Sequence, residues 1–289
     1  MSNERTAIRT TYFSIVGNTV LALIKGLAGF FGNSYALIAD AIESTTDIFS
    51  SLLVLFGLKY AKRPADKNHP YGHGKIEPLI TFLVVAFLVT SATIIAYESI
   101  QNIQTPHKVP KPWTLIVLGC IIVWKEISYR VVMKKSNETN SSSLKADAWH
   151  HRSDAITSIM AFIGISIALI FGKGYETADD WAALLASGFI LYNSYLIFRP
   201  ALGEIMDEHL YDDLLVEVRK ESIKVNGVIG TEKCFIRKTG MKYHIDLHAI
   251  VDGGISVKDG HEISHNLKDH LRDQIPNIGN VLIHIEPDE

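Results

Sequence analysis

Cysteine is scarce in this sequence. Only Cys120 and Cys234 occur, far apart and without C-x-x-C spacing, so neither a disulfide framework nor a thiolate metal site is expected. Both read as reduced structural thiols. No charge of either sign dominates: 28 Lys and Arg against 31 Asp and Glu leave a net charge of −3. That balance offers no basic excess to hold nucleic acid and no acidic tail. The N-terminal stretch MSNERTAIRT lacks a short apolar core followed by a small-residue cleavage site. No removable signal peptide is therefore expected, and the first hydrophobic run reads as a true span.

Apolar residues and histidine are abundant. The hydrophobic fraction is 47%, and 12 histidines are present, half of them after residue 240. Mean hydropathy is positive, at +0.16. A helix needs about 20 apolar residues to cross a bilayer. Six runs qualify, at roughly 10–32, 35–60, 77–103, 112–133, 144–172 and 178–199. They are too long and too continuously apolar for barrel strands, so they read as helices. Lysine and arginine concentrate before the first run (Arg5, Arg9), after the second (Lys59, Lys62, Arg63, Lys67, Lys75) and after the fourth (Arg130, Lys134, Lys135, Lys145). The positive-inside rule then places both termini in the cytoplasm. The polar segment Lys134 to Ser143 reads as an inside loop.

After Pro200 the sequence becomes charged and acquires short soluble patterns. Asp212 to Lys224 reads as an amphipathic helix, with strands at Phe235 to Lys238 and Lys242 to Val251. A second helix follows at Ser256 to Ile275, and a closing strand at Val281 to Glu286. The expected architecture is a six-helix transmembrane bundle over roughly 1–205, then a cytoplasmic α/β domain of order α-β-β-α-β over roughly 206–289.

Several charges fall where lipid disfavours them. The second span carries Asp40, Glu43 and Asp47 in ADAIESTTD, and the fifth carries Asp147, His150 and Asp154 in ADAWHHRSD. Spacings of three and four put each set on one helix stripe. A charge at the bilayer centre costs about 3 kcal/mol on insertion scales, so a stripe of acids calls for a compensating cation. Glu43, Asp47, His150 and Asp154 are the expected ligands: an i, i+4 pair from each helix supplies the four donors of a tetrahedral site. One imidazole and no thiolate suit zinc, manganese, iron(II), cobalt or cadmium better than copper(I). Asp40 and Asp147, a turn away, read as partners of those ligands or as helix-end charges. The competing reading is that the acids pair with Lys25, Lys125 or Arg152 simply to hold the bundle together. Lys25, Lys125 and Glu126 have no assigned role.

Two further clusters are outside the spans. In RPADKNHPYGHGKIEP, the Pro and Gly residues let Asp66, His69 and His73 converge on a metal, unless they are merely solvated. In the tail, strand alternation puts His244, Asp246 and His248 on one face, and His284 with Glu286 on a face of the last strand. His261 and His265 form an i, i+4 pair on the second tail helix.

Taken together, ADAIESTTD, HPYGHGKIE, ADAWHHRSD and the α-β-β-α-β tail resemble the cation diffusion facilitator family of metal/proton antiporters over nearly the whole chain. The resemblance implies a transport site at Glu43, Asp47, His150 and Asp154 and a loop site at Asp66, His69 and His73. It also implies a binuclear site in a metallochaperone- or ferredoxin-like tail at Glu232, His248, His261, His284 and Glu286. It further implies a homodimer in the plasma membrane, stabilised by a Lys75–Asp207 ion pair, with zinc or another divalent transition metal as cargo and regulatory ion. Two positions depart from the family pattern: Glu43 replaces the usual aspartate or histidine, and Glu232 stands where histidine is frequent. The expected activity is proton-coupled efflux by alternating access, with no enzymatic reaction and no nucleic acid. Protons displace the ion at ligands such as His150, since imidazole titrates near pH ~6.5 and binds metal only when unprotonated. The alternatives are a membrane metalloenzyme, with His151 or Asp147 as its base, and a metal channel or sensor without proton coupling.

Overall fold

The computed structural model of the chain describes residues 3–31, 35–104, 112–172, 175 and 177–288. The chain divides into two compact units, Met1–Ala201 and Leu202–Glu289.

The first unit is built from α1 (Asn3–Phe31), α2 (Tyr35–Ala61), α3 (Ile76–Gln104), α4 (Thr114–Thr139), α5 (Ser142–Phe171) and α6 (Ala178–Ile205), whose last turn belongs to the second unit. A helix is the form in which such apolar runs satisfy every backbone donor and acceptor without water. Among the described residues, Asn3–Ile24, Ile76–Gln104, Ser142–Phe171 and Asp180–Ile205 are long and apolar enough to cross a membrane. The helices α2 and α4 carry ionisable residues inside otherwise apolar runs, Asp47 on the first and Lys125, Glu126 and Arg130 on the second. Large apolar side chains such as Val16, Phe56, Ile116, Leu185 and Phe189 are exposed, whereas Asn18, Asp47, Lys125, Asp147 and His150 are buried. That inversion suits a surrounding solvent of hydrocarbon. Helix α1 packs on α2 and α4, α5 packs on α4, α2 and α3, and α3 packs on α2. The acid-bearing helices α2 and α5 are therefore in direct contact.

Helix boundaries differ from expectation at several places: α1 already begins at Asn3, and α4 and α6 run on past their apolar stretches. The segment Lys134 to Ser143 is not a loop for most of its length, because α4 continues to Thr139. Its polar residues sustain the helix: Lys135 Nζ is 2.5 Å from Glu138 Oε2, and the Thr139 hydroxyl donates to Lys135 O at 2.8 Å. Asn140 then terminates it in the left-handed region, at φ 58°, with its N–H on Ser136 O. At the other end of the unit, α6 runs through Pro200 to Ile205. Proline there removes one backbone hydrogen bond without ending the helix. Near the start of α3, buried Glu77 accepts hydrogen bonds from the hydroxyls of Ser141 and Ser143, tying α3 to the α4–α5 turn.

The second unit contains α7 (Asp212–Ser222), β1 (Gly230–Thr239), β2 (Lys242–Val251), α8 (Val257–Gln274) and β3 (Ile278–Pro287), the expected α-β-β-α-β order. The sheet order is β1-β2-β3; β1 and β2 pair antiparallel, and β2 and β3 pair parallel across the α8 connection. Gly240 turns the hairpin at φ 62°, a region costly for other residues. Strand β1 starts earlier than the sequence suggests, because a register shift between Thr231 and Cys234 interrupts its alternation. Ile245, Leu247 and Ala249 face the core with Val218 of α7 and Leu267 and Leu271 of α8. Helix α8 is secured at its N-terminus by a reciprocal Ser256–Asp259 capping box. Both helices cover one face of the sheet, so His244, Asp246 and His248 project from the other.

Glycine permits the close approach of α2 to α3. A Cβ at Gly57 would lie 2.6 Å from Ile80 Cγ1 and 3.1 Å from Ile80 Cβ. Overpacking of this kind costs about 1–3 kcal/mol. Gly57→Val is therefore expected to lower the melting temperature of the detergent-purified protein, and an unchanged melt would contradict the tight α2–α3 contact.

Candidate metal centres

The buried centre is built from α2 and α5. Asp47, His150 and Asp154 each direct a ligand atom to one place, and these atoms all lie within 4.8 Å of one another. Asp47 Oδ1 is 2.9 Å from His150 Nε2. His150 and Asp154 converge because an i, i+4 spacing stacks them on one face of α5. Asp47 and His150 are 6% exposed, so the donors are withdrawn from the surroundings. The side chains of the other expected residues of α2, Asp40 and Glu43, lie outside the described residues, as does that of Lys25. From the level where they meet, α2 continues much further, to Ala61, than α5 does back to Ser142. The two motifs thus share a level although they stand at different distances from their helix ends.

Lys125 on α4 joins this centre, which the sequence left without a role for it. Its Nζ donates to Asp47 Oδ2 at 2.8 Å and to Asp154 Oδ2 at 2.7 Å. The competing reading of the acids as partners of Lys125 is therefore realised by the same residues that cluster as ligands. Arg152 is engaged elsewhere: it donates to Glu126 Oε2 at 2.7 Å and stacks over the Tyr129 ring at 4.6 Å. Glu126 also accepts from Arg130 Nε at 2.7 Å.

Asp147 is fully buried, so it is not a helix-end charge. It accepts from Ser14 Oγ at 2.8 Å and Ser51 Oγ at 3.1 Å. His151 Nε2 lies 3.2 Å from the same Ser14 hydroxyl. Asn18 completes the layer, with Nδ2 donating to Ser51 Oγ at 3.4 Å and Oδ1 accepting from Lys125 at 3.3 Å. The signal for Lys125 was present in the sequence, since an ionisable residue inside a span marks a site by default. Ser14, Asn18 and Ser51 gave none, because small polar residues are common in membrane helices.

A second centre sits between α2 and α3. Asp66 Oδ1 is 3.2 Å from His69 Nδ1, Asp66 Oδ2 is 3.4 Å from His73 Nε2, and the two imidazoles are 4.4 Å apart. The turn is made by the backbone N–H groups of His69 and Asn68, which donate to Asp66 Oδ1 at 2.7 and 2.9 Å, and by Gly72 at φ 84°. The His69 N–H above all holds the Asp66 carboxyl below the usual carboxylate range, so it stays anionic as pH falls. His73 is buried, packed edge-on against Tyr60 with the rings 5.1 Å apart.

The third centre lies on the open face of the tail sheet. His248 and His284 are register partners on β2 and β3, with rings 4.7 Å apart. Glu286 Oε1 lies 2.9 Å from His248 Nδ1 and 3.2 Å from His284 Nε2. Glu232 on β1 is further off, with Oε2 3.9 Å from His248 Nδ1. His261 does not join them. It belongs to α8 on the opposite side of the sheet, its ring 4.5 Å from that of His265. Burial pushes the Cys234 thiol up to about 11, so it remains a thiol in the core at neutral pH. Lys75 precedes α3 in the first unit, and Asp207 follows α6 in the second, at φ 52°.

Residues 11–206 match the cation efflux transmembrane domain, and residues 210–288 match the cytoplasmic domain of cation efflux proteins. The chain is 28% identical over 293 residues to the manganese efflux system protein MneP of Bacillus subtilis, which covers 99% of both chains. It is 30% identical over 298 residues to metal tolerance protein 2 of Oryza sativa subsp. japonica, covering 94% of this chain and 76% of that one. The cation-efflux pump FieF of Pectobacterium carotovorum is 28% identical over 273 residues, with 93% and 88% covered. With both domains matched end to end and relatives that are metal transporters and not enzymes, this chain belongs to the cation diffusion facilitator family and is a multi-pass membrane protein of divalent metal cation efflux.

Proposed function

We propose that this protein exports zinc from the cytoplasm in exchange for protons, by alternating access, through Glu43, Asp47, His150 and Asp154. The observation that carries the reading is the convergence of Asp47, His150 and Asp154 between two helices of the bundle. The donor chemistry supports it, because carboxylates and a neutral imidazole suit zinc and related divalent ions without thiolate. Bound metal requires unprotonated ligands, so ion and proton occupy the site in turn and never together. That exclusion is what converts binding into exchange. The lysine and arginine distribution supports a plasma-membrane orientation with both termini in the cytoplasm.

Manganese is the second reading. It is favoured by the full-length likeness to a manganese efflux protein and by the carboxylate-rich donor set.

The proposal extends to regulation. Asp66, His69 and His73 form a loop site, and Glu232, His248, His284 and Glu286 form a site in the tail. His261, on the other side of its own sheet, is supplied to that site by a second copy of the chain in a homodimer. Lys75 and Asp207 form the ion pair that stabilises the dimer. Metal held between tails favours one arrangement of the dimer through its greater affinity for that state.

In sealed vesicles, His150→Ala is expected to reduce zinc movement driven by a pH gradient at least tenfold; movement at the unaltered rate contradicts the coupling. A parallel uptake series with manganese decides between the two ions. Removal of residues 206–289 is expected to flatten the dependence of transport on cytoplasmic metal, and a dependence of unchanged steepness refutes the regulatory role of the tail.

A further inference from the structure

The buried centre holds a positive charge that metal/proton exchange leaves unused. Lys125 is 1% exposed, and its Nζ contacts one oxygen of each of Asp47 and Asp154, at 2.8 and 2.7 Å. An ammonium has three donors and no lone pair, so it cannot serve as a ligand beside a metal. It engages the same two carboxylate groups that a metal would bind, through Oδ2 of each, at a place where metal–oxygen distances would be about 2.0–2.2 Å. Two cations on the same pair of carboxylates repel strongly where the dielectric is low. Metal and ammonium are therefore alternatives at this place.

We infer that the Lys125 ammonium is a tethered cation that occupies the transport site when metal is absent and is displaced towards Asn18 by the arriving divalent ion. This rests on the reading of Asp47 and Asp154 as transport ligands. The direction of displacement follows from the third acceptor of Nζ, Asn18 Oδ1 at 3.3 Å, on α1 and outside the ligand set. Beyond Asn18, Ser51 at 3.4 Å leads to the buried Asp147 carboxyl, 3.1 Å further on. The displaced charge thus moves along polar groups that end at the Asp147 carboxyl. With lysine in place, the two ligand carboxylates stay compensated while the carrier returns without metal and with its proton on His150. By competing for the same carboxylates, the lysine also lowers metal affinity to a level from which the ion is released.

A purely structural ion pair makes the opposite prediction, because its loss loosens α2, α4 and α5 and weakens metal binding. The test uses the full-length protein in lipid nanodiscs, in a background carrying His73→Ala and His248→Ala so that only the buried centre is read. Zinc chloride is titrated calorimetrically into that protein and into Lys125→Met and Lys125→Gln versions, the second of which keeps a hydrogen-bond donor without charge. The expected result is zinc affinity tighter by tenfold or more, and a larger rise in melting temperature on adding zinc than in the parent. In vesicles the half-saturating zinc concentration falls together with maximal turnover. Equal or weaker zinc affinity overturns the inference. Failure of both variants to fold in saturating zinc also overturns it, because zinc should replace the missing charge. Asp47→Asn in the same background separates the two readings: retained zinc binding refutes the transport site itself, whereas lost binding with unaltered affinity in the lysine variants refutes only the role of Lys125.

Discussion

A carboxylate surrounded by hydrocarbon persists only beside a positive charge or a set of hydrogen-bond donors, and the first unit is organised around that requirement. Asp47 and Asp154 share the Lys125 ammonium, Asp147 is held by the hydroxyls of Ser14 and Ser51, and Glu126 is paired with Arg152. Each of these contacts joins different helices. Lipid chains are as apolar as leucine, so helices in a bilayer gain little from burying one apolar face against another. Polar contacts and close packing at small residues such as Gly57 do more to decide which helices meet. The groups that prepare a site for a cation are thus also the groups that bring α1, α2, α4 and α5 together.

The three donor clusters use the same side chains in different surroundings. Asp47, His150 and Asp154 are withdrawn between helices, where an ion must shed its water and any charge imbalance is costly. Asp66 is exposed in a tight turn with His73 buried behind it, so that cluster meets solvent on one side. His248, His284 and Glu286 stand on an open sheet face that neither tail helix covers. The first setting imposes a dehydration cost on any ion that enters, whereas the other two leave part of their donor set in contact with water.

Much of the fold was legible because it follows from period and composition. Apolar runs of span length, and the switch to short amphipathic patterns after Pro200, identify the bundle and the order of the tail. Boundaries were less legible. A helix that projects beyond its apolar run looks like a loop, as Lys134 to Thr139 does, and the register shift at Thr231 to Cys234 hid the first half of β1. Helical and strand spacing also place potential donors on shared faces. Spacing says nothing of which faces oppose one another, and for that reason Lys125 remained unassigned.

The sequence by itself determined that the chain spans membranes, that acids and a histidine line stripes of two spans, and that a turn and a tail strand pair carry further metal-type donors. These are properties of local spacing and solvent preference. Only the tertiary structure decided that Asp47 meets His150 and Asp154, that Lys125 from a third helix lies on the same carboxylates, and that Asn18, Ser51 and Asp147 continue the polar chain behind it. Those contacts bring together residues up to about a hundred positions apart, and the rotation of each helix about its axis, which packing alone sets, determines whether they form.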